Sequence, residues 1–262
     1  MNKLNKTLRD IKQAGRPALM MHIVAGYPDL ESSAQIAKTI LDAGADLLEI
    51  QIPFSDPVAD GPVIANANEH SLRGGTTVSS SLDMIEGIVK ATAKPILIMS
   101  YFNIIHRYGI EKFCEKAVTI GVQGLIVPDY PYDEEAGNSL LEYSKKYSLA
   151  LIQVLASTTK PARTREIAKV ASGFVYCVAR TGTTGNKTVI SSDTIDYLKT
   201  IRQNCNVPMA VGFGLSEKSQ IEALQPYADI MIVGSALIKE YARLSIETGL
   251  AKAKRFVMEL TA

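Results

Sequence analysis

Eight short apolar segments, each followed by a segment with helical periodicity, constrain the fold of this chain more than any other feature. They are rich in Val, Ile and Leu, and we predict them as strands at Leu19–Val24, Leu47–Ile52, Pro95–Met99, Gly124–Val127, Leu149–Val154, Phe174–Val178, Pro208–Val211 and Ile230–Val233. Continuous apolar strands are typical of parallel sheets whose two faces are both covered. Such an alternation predicts either a closed barrel or a large doubly wound sheet.

The closed barrel is the better interpretation of this alternation. The spacing is short and regular, a further helix is predicted near Leu4–Ala14, and no GxGxxG motif follows the first strand. The length of 262 residues is close to the roughly 250 that such a barrel needs. Because no linker or low-complexity stretch interrupts the chain, we predict an α/β fold with a single (β/α)8 TIM-barrel domain over residues 1–262, preceded by an extra N-terminal helix.

Charge and cysteine content argue against several classes of function. A net charge of +1 gives no electrostatic attraction for nucleic acid or for an anionic membrane. Three cysteines and three histidines are too dispersed for a metal-ligand pattern, so we predict no metal site. The odd cysteine count, the lack of an apolar signal-peptide core and the lack of an apolar run of about 20 residues predict a cytoplasmic protein.

Two carboxylates lie near the end of the second predicted strand. Strand alternation puts Glu49 and Gln51 on one face and apolar residues on the other, so Glu49 points into the barrel near its mouth. Asp60 follows in the adjoining loop. Glu49 could instead belong to a structural ion pair, and Asp60 could form a turn before glycine. Two carboxyl groups that converge on one mouth nevertheless favour acid and base catalysis.

Glycine-rich loops follow the seventh and eighth predicted strands. They contain Gly212, Phe213 and Gly214, then Gly234 and Ser235. Barrels often bind phosphate at these loops, because glycine lets backbone N–H groups approach the anion at a helix start. Simple turns are the alternative. We predict phosphate binding because both loops carry glycine at the expected places.

Two long strand-to-helix connections lie at the same predicted face. About 30 residues separate strand 2 from the next clear helix, near Leu82–Lys90, and about 14 separate strand 6 from a helix near Asp193. Long loops with glycine pairs predict lids that become ordered when a ligand binds. In strand 6, Tyr176 either donates its hydroxyl into the barrel or packs there.

Taken together, these segments resemble the alpha subunits of tryptophan synthase, from about Leu4 to Ile238. The most specific piece is Pro53-Phe54-Ser55-Asp56-Pro57 with Asp60-Gly61-Pro62, and the supporting pieces are Ala25-Gly26-Tyr27-Pro28-Asp29, Tyr101-Phe102-Asn103, Val127-Pro128-Asp129, Thr184-Gly185, Gly212-Phe213-Gly214 and Gly234-Ser235. The resemblance implies a TIM barrel that cleaves indole-3-glycerol phosphate to indole and glyceraldehyde 3-phosphate. It implies no cofactor on this chain and a partner, the pyridoxal-phosphate-dependent beta subunit, in an alpha2-beta2 assembly.

The resemblance also implies a role for each matching residue. Glu49 corresponds to the acid and base, and Asp60 to the carboxylate that holds the indole N–H. The implied substrate contacts are Tyr176, Thr184, Gly185, Gly212, Phe213, Gly214, Gly234 and Ser235. Asp56 and Pro57 correspond to the loop that faces the beta subunit.

Two positions depart from the family pattern near the predicted indole pocket. Gln51 stands where the family usually has glycine, so it would crowd the indole or hydrogen-bond Glu49. His22 replaces an aromatic residue, and we interpret it as a packed, neutral core residue. These departures keep a second hypothesis open, an alpha-type subunit with weak or no activity that binds and regulates the beta subunit. A third, another phosphate-binding barrel of tryptophan or histidine biosynthesis, is disfavoured by the Pro53–Pro57 segment.

Overall fold

Eight parallel strands close into a barrel in the computed structural model, which describes residues 3–130, 133, 139–178, 190–212 and 214–262. Each strand pairs with the next along the chain, and the last pairs with the first. The strands are β1 Ala18–Val24, β2 Leu47–Gln51, β3 Ile96–Met99, β4 Gly124–Ile126, β5 Ala150–Ala156, β6 Val175–Val178, β7 Met209–Gly212 and β8 Ile230–Val233. The predicted (β/α)8 barrel is confirmed, and each predicted strand is present with its ends shifted by at most two residues.

Helices surround this barrel, and one further helix precedes it. Over the described ranges they are α1 Lys3–Gln13, α2 Leu30–Asp42, α3 Pro62–Arg73, α4 Val78–Ala91, α5 Phe102–Tyr108, α6 Ile110–Thr119, α7 Leu140–Lys146, α8 Pro161–Val170, α9 Ser192–Asn204, α10 Lys218–Leu224, α11 Ser235–Tyr241 and α12 Ile246–Thr261. The predicted N-terminal helix is confirmed as α1. None of these helices combines the length and the apolar character that a membrane crossing requires.

Strand alternation divides the core into an inner and an outer cluster. The inner cluster fills the barrel and includes Met20, Leu97 and Phe174, onto which α1 adds Leu4 and further apolar residues. The outer cluster lies between the strands and the helices, where Leu48 and Ile50 of β2 pack. Because successive side chains point to opposite faces, Glu49 and Gln51 point into the barrel, as the sequence predicted.

The connection after β2 differs from its prediction because it contains helix α3. The sequence predicted about 30 residues without a clear helix, but Pro62–Arg73 is helical and α4 already begins at Val78. The buried face of α3 consists of Ile64, Ala67, Asn68 and Ser71. Two of these four residues are polar and one is small, so the sequence shows no apolar stripe at helical spacing. The start signal, Gly61 followed by Pro62 in the first turn, is present.

Candidate active site

A cavity of about 390 Å³ lies within the barrel toward the carboxyl ends of the strands. Its wall brings together seven of the residues predicted from the sequence: Glu49, Asp60, Tyr176, Gly212, Gly214, Gly234 and Ser235. Apolar side chains, among them Met99, Ile126 and Ile232, complete the wall. Thr184, Gly185 and Phe213 lie outside the described residues. The arrangement combines an apolar chamber with a few polar groups, as in sites for small molecules.

Glu49 is almost fully buried in this wall and faces His22. It is 2% exposed, and β1–β2 pairing places His22 directly beside it, with His22 Nδ1 3.4 Å from Glu49 Oε2. Burial is the largest single influence on the pKa of His22 and lowers it, but the charge and hydrogen bond of Glu49, together with Asp60 and Gln51, outweigh burial, so the His22 pKa is raised. His22 is therefore buried as expected, yet it belongs to the cavity wall and contacts the acid/base candidate.

Asp60 is held beside the cavity by two donors. Gln51 Nε2 donates to Asp60 Oδ2 at 2.7 Å, and the Tyr101 hydroxyl donates to the same oxygen at 3.2 Å. Burial raises the pKa of Asp60, although the hydrogen bond from Gln51 and the charge of His22 both oppose this effect. The Gln51 amide donates to Asp60 rather than to Glu49, so the expected hydrogen bond to Glu49 was wrong. Gln51 is not among the residues that line the cavity, and crowding of a bound indole stays a prediction.

Tyr176 points into the barrel from β6, next to a glycine that leaves room for its ring. A Cβ atom built on Gly212, in the adjacent strand β7, would lie only 2.8 Å from the Tyr176 hydroxyl. Burial and the charge of Glu49 raise the pKa of Tyr176 well above 10, so the hydroxyl is neutral and able to donate a proton in a hydrogen bond. The placement fits either of the two roles considered for this tyrosine.

The glycines after β7 and β8 form the adjoining part of the wall. Gly214 has φ +66°, a left-handed conformation that favours glycine. Gly234 precedes α11, and a Cβ atom there would lie 3.2 Å from the Cβ atom of His22. Glycine at these positions keeps the backbone of both loops accessible from the cavity.

Two positioning residues near Asp60 had no assigned function in the sequence. Tyr101 is fully buried, stacks on Phe54 at 5.0 Å between ring centroids, and accepts the Ala59 N–H at 3.0 Å. Asn68, on α3, accepts the Phe54 N–H at 2.9 Å. In the sequence, Tyr101 belongs only to a family motif, and no spacing signal distinguishes Asn68, because the apolar pattern does not predict α3.

The segment predicted to face a partner lies beside the cavity. Asp56 is exposed and Pro57 half-buried, while the next residue, Val58, is 77% exposed and also contacts the cavity. Over the described residues, histidine, cysteine and acidic side chains form no group of three that could hold a metal ion.

Comparison with known proteins agrees with this geometry. The family model described as tryptophan synthase alpha chain matches residues 8–261. A tryptophan synthase alpha chain of Syntrophotalea carbinolica is 40% identical, covering 98% of this chain and 99% of its own length, and one of a Thermoanaerobacter species is 38% identical, with coverage of 99% and 98%.

Solved structures give the same result. A chain from Mycobacterium tuberculosis tryptophan synthase superposes with a TM-score of 0.91 at 30% identity, covering 99% of this chain and 96% of that one. Subunit alpha of tryptophan synthase from Legionella pneumophila gives a TM-score of 0.89 at 29% identity, with coverage of 99% and 97%. The chain therefore belongs to the tryptophan synthase alpha chain family.

Proposed function

We propose that Glu49 and Asp60 carry out the lyase reaction of the family in this chain, the cleavage of indole-3-glycerol phosphate to indole and glyceraldehyde 3-phosphate. The observation that carries the proposal is that both carboxyl groups line one largely apolar cavity. Indole is a flat apolar ring with a single N–H donor, so an apolar chamber with a carboxylate in its wall suits it.

The reaction requires that one atom of the substrate gains a proton and that another atom loses one. Glu49 delivers a proton to C3 of the indole ring and takes one from the side-chain hydroxyl, while the bond between C3 and the side chain breaks and an aldehyde forms. The protonated Glu49 is restored by the end of the cycle. Positive charge that develops on the ring is stabilised by the Asp60 carboxylate beside the ring nitrogen.

The phosphate group of the substrate occupies the β7–β8 side of the cavity in this proposal. Gly212, Gly214, Gly234 and Ser235 contribute to that wall, and the family resemblance adds Phe213, Thr184 and Gly185. Backbone N–H groups of glycine loops can approach phosphate oxygens closely, and Tyr176 lies beside them as a neutral hydroxyl donor. The substrate would thus bind with its indole toward Asp60 and its phosphate toward the glycines.

The wider role follows from the family. The chain is a lyase subunit of tryptophan biosynthesis that carries no cofactor, and it works with the pyridoxal-phosphate-dependent beta subunit in a heterotetramer. We propose that Asp56 and Pro57 contact that partner, supported by their position at the exposed rim. A cytoplasmic location is supported by three free, buried cysteines.

Cleavage assays on purified variants test the residue roles. We expect Glu49→Gln and Asp60→Asn each to lower turnover of indole-3-glycerol phosphate by roughly 100-fold or more, with little change in unfolding temperature, because each removes one group that acts in the reaction. The exposed Asp83→Asn serves as the matched control and should retain wild-type turnover.

The same assay, run with and without beta subunit, separates the active lyase from a purely regulatory subunit. Wild-type-like turnover in either active-site variant would refute the assigned role of that residue. No turnover of the wild-type chain in the complex would favour the regulatory alternative. The open cavity supports the active lyase, since Gln51 leaves its volume free.

A further inference from the structure

Gln51 is a buried amide with one strong contact, and that contact is a proposed catalytic carboxylate. Its side chain is 0% exposed, and its Nε2 atom lies 2.7 Å from Asp60 Oδ2. Its Oε1 atom has no hydrogen-bond partner among the described residues. Gln51 also helps to raise the pKa of His22, so the amide lies beside both groups, and its short hydrogen bond is the one to Asp60.

The second donor to Asp60 approaches the same carboxylate oxygen. Tyr101 donates to Oδ2 at 3.2 Å, and the stacked Phe54 ring and the Ala59 N–H fix Tyr101 in turn. The two donors, Gln51 on β2 and Tyr101 immediately before α5, thus bind Oδ2, whereas no described residue hydrogen-bonds Oδ1. Within the described part of the chain, the carboxylate is anchored through one oxygen, and no donor binds the other.

Electrostatics give the same contact a second effect. Burial is the largest influence on the pKa of Asp60 and raises it, which disfavours the charged carboxylate. The hydrogen bond from Gln51 is the largest opposing influence, followed by the charge of His22 and the bond from Tyr101, while Glu49 adds to the rise. A donor to the charged form favours that form, so Gln51 counteracts the rise in the pKa of Asp60.

We propose that Gln51 is a positioning residue that holds Asp60 by one carboxylate oxygen and leaves the other free to accept the indole N–H. The inference rests on the proposed lyase function of the site. It gives Gln51 a role different from crowding the ring, and it makes Gln51 and Asp60 a functional unit particular to a chain with glutamine at this position.

Replacement of the amide by a side chain of similar length without a donor tests this role. In Gln51→Met we expect kcat/KM for indole-3-glycerol phosphate to fall by on the order of tenfold at neutral pH, the size expected for a lost hydrogen bond to a charged group. The acid limb of the kcat/KM profile should move to higher pH. Gln51→Gly removes the donor as well and provides a second variant if the methionine disturbs packing.

A readout on Asp60 itself separates positioning from a structural effect. With ¹³C-labelled aspartate, the carboxyl titration of Asp60 in the free protein should move to higher pH in both Gln51 variants. The control is Gln153→Met on β5, a glutamine that is also buried but whose neighbour Val154 faces the cavity, so Gln153 faces the helices. We expect unchanged titration and unchanged kinetics in that variant.

The outcomes are decisive in each direction. An Asp60 titration that is the same in wild type, Gln51→Met and Gln51→Gly would overturn the positioning role, as would an unchanged pH profile. If the wild-type chain cleaves no substrate with beta subunit present, the lyase proposal fails, while the titration still reports whether Gln51 holds Asp60.

Discussion

The width of the cavity depends on the absence of a side chain at Gly212, next to Tyr176. The hydroxyl and ring of Tyr176 occupy the space that a side chain at this position would need, with approaches of 2.8 to 3.1 Å from a built Cβ atom. Contacts under 3.0 Å force a displacement, and the adjoining ring can move only within a packed wall. A methyl group here therefore changes the position of Tyr176 rather than the fold.

The prediction for Gly212→Ala is a loss of catalytic efficiency in a folded protein. We expect kcat/KM to fall by roughly 10- to 100-fold, because displacements of about 1 Å in a preorganised site have effects of this size. Steady-state kinetics measure the loss of catalytic efficiency, and thermal unfolding shows whether the variant is folded. Gly87→Ala, on α4, is the control because a Cβ atom there meets nothing within 4 Å. Equal kinetics in both variants would show that Tyr176 adjusts without consequence.

At the scale of elements, helix α3 fixes the loop that carries Asp60. Its Asn68 accepts the Phe54 N–H, and its Ser71 hydroxyl donates to the Ala25 carbonyl at 2.6 Å, so one helix fastens the chain beyond both β1 and β2. Asn68 also donates to the Ile64 carbonyl within α3. The buried face of α3 therefore fixes the neighbouring chain more through these hydrogen bonds than through burial of apolar surface.

Asn68→Ala should therefore affect both stability and catalysis. The variant leaves the part-buried Phe54 N–H without its acceptor, which costs about 1 kcal/mol of unfolding free energy. Turnover should fall as well, since the freed loop no longer holds Asp60 in place. Urea denaturation and the cleavage assay provide the measurements, with the exposed Asn66→Ala on the same helix as control. Unfolding curves that coincide for wild type and Asn68→Ala would contradict this account of α3.

At the same scale, the side chain of Asp229, which immediately precedes β8, links β7, α9 and α1. Its Oδ2 atom accepts the Met209 N–H at 2.9 Å and a bond from Arg202 at 2.6 Å, while Lys12 of α1 lies 3.3 Å from Oδ1. Burial opposes ionisation of Asp229, but Arg202 and the Met209 N–H outweigh it and lower its pKa.

The contribution of Asp229 to stability depends on pH in a direction that follows from its lowered pKa. A carboxyl group with a lowered folded-state pKa stabilises the fold above its unfolded pKa, near 4, and that stabilisation is lost as the pH falls through the folded pKa. Asp229→Asn should lower the unfolding free energy by about 2 kcal/mol at neutral pH. The difference from wild type should shrink as the pH falls below about 4. A difference independent of pH would mean that the charge of Asp229 has no part in it.

The sequence predicted the features that depend on repeated side-chain patterns, and it did not predict contacts made by individual side chains. All eight strands and the inward direction of Glu49 follow from apolar runs and alternation, which report burial directly. Helix α3 was missed because its buried face is polar or small. The contact between Gln51 and Asp60 joins a strand to a loop, and no periodic signal reports such a pairing. That residues 1–262 form one domain, and that the long connections order with a ligand, stay predictions.

At the scale of the whole molecule, the loop with Asp56, Pro57 and Val58 offers an apolar contact beside the cavity. Val58 is 77% exposed, the most exposed of the large apolar side chains among the described residues. We expect Val58→Ser to weaken beta-subunit binding by about tenfold, the equivalent of about 1.4 kcal/mol, because one buried apolar side chain is lost from the contact. Isothermal titration with purified beta subunit measures this. Met258→Ser, 50% exposed on α12, is the control, and equal losses in both variants would argue against a contact at the loop.

The barrel is open at one end only over its described residues. Leu4 from α1, together with Met20 and Phe174, is fully buried and fills the end where the strands begin. Over the same described residues, the cavity beside Glu49 extends to the loop that carries Val58, so an apolar product formed there leaves toward this end of the barrel. A partner protein bound at that rim receives the product before it reaches bulk water. Direct transfer therefore requires no tunnel through this chain, only a partner that closes the mouth of the barrel tightly.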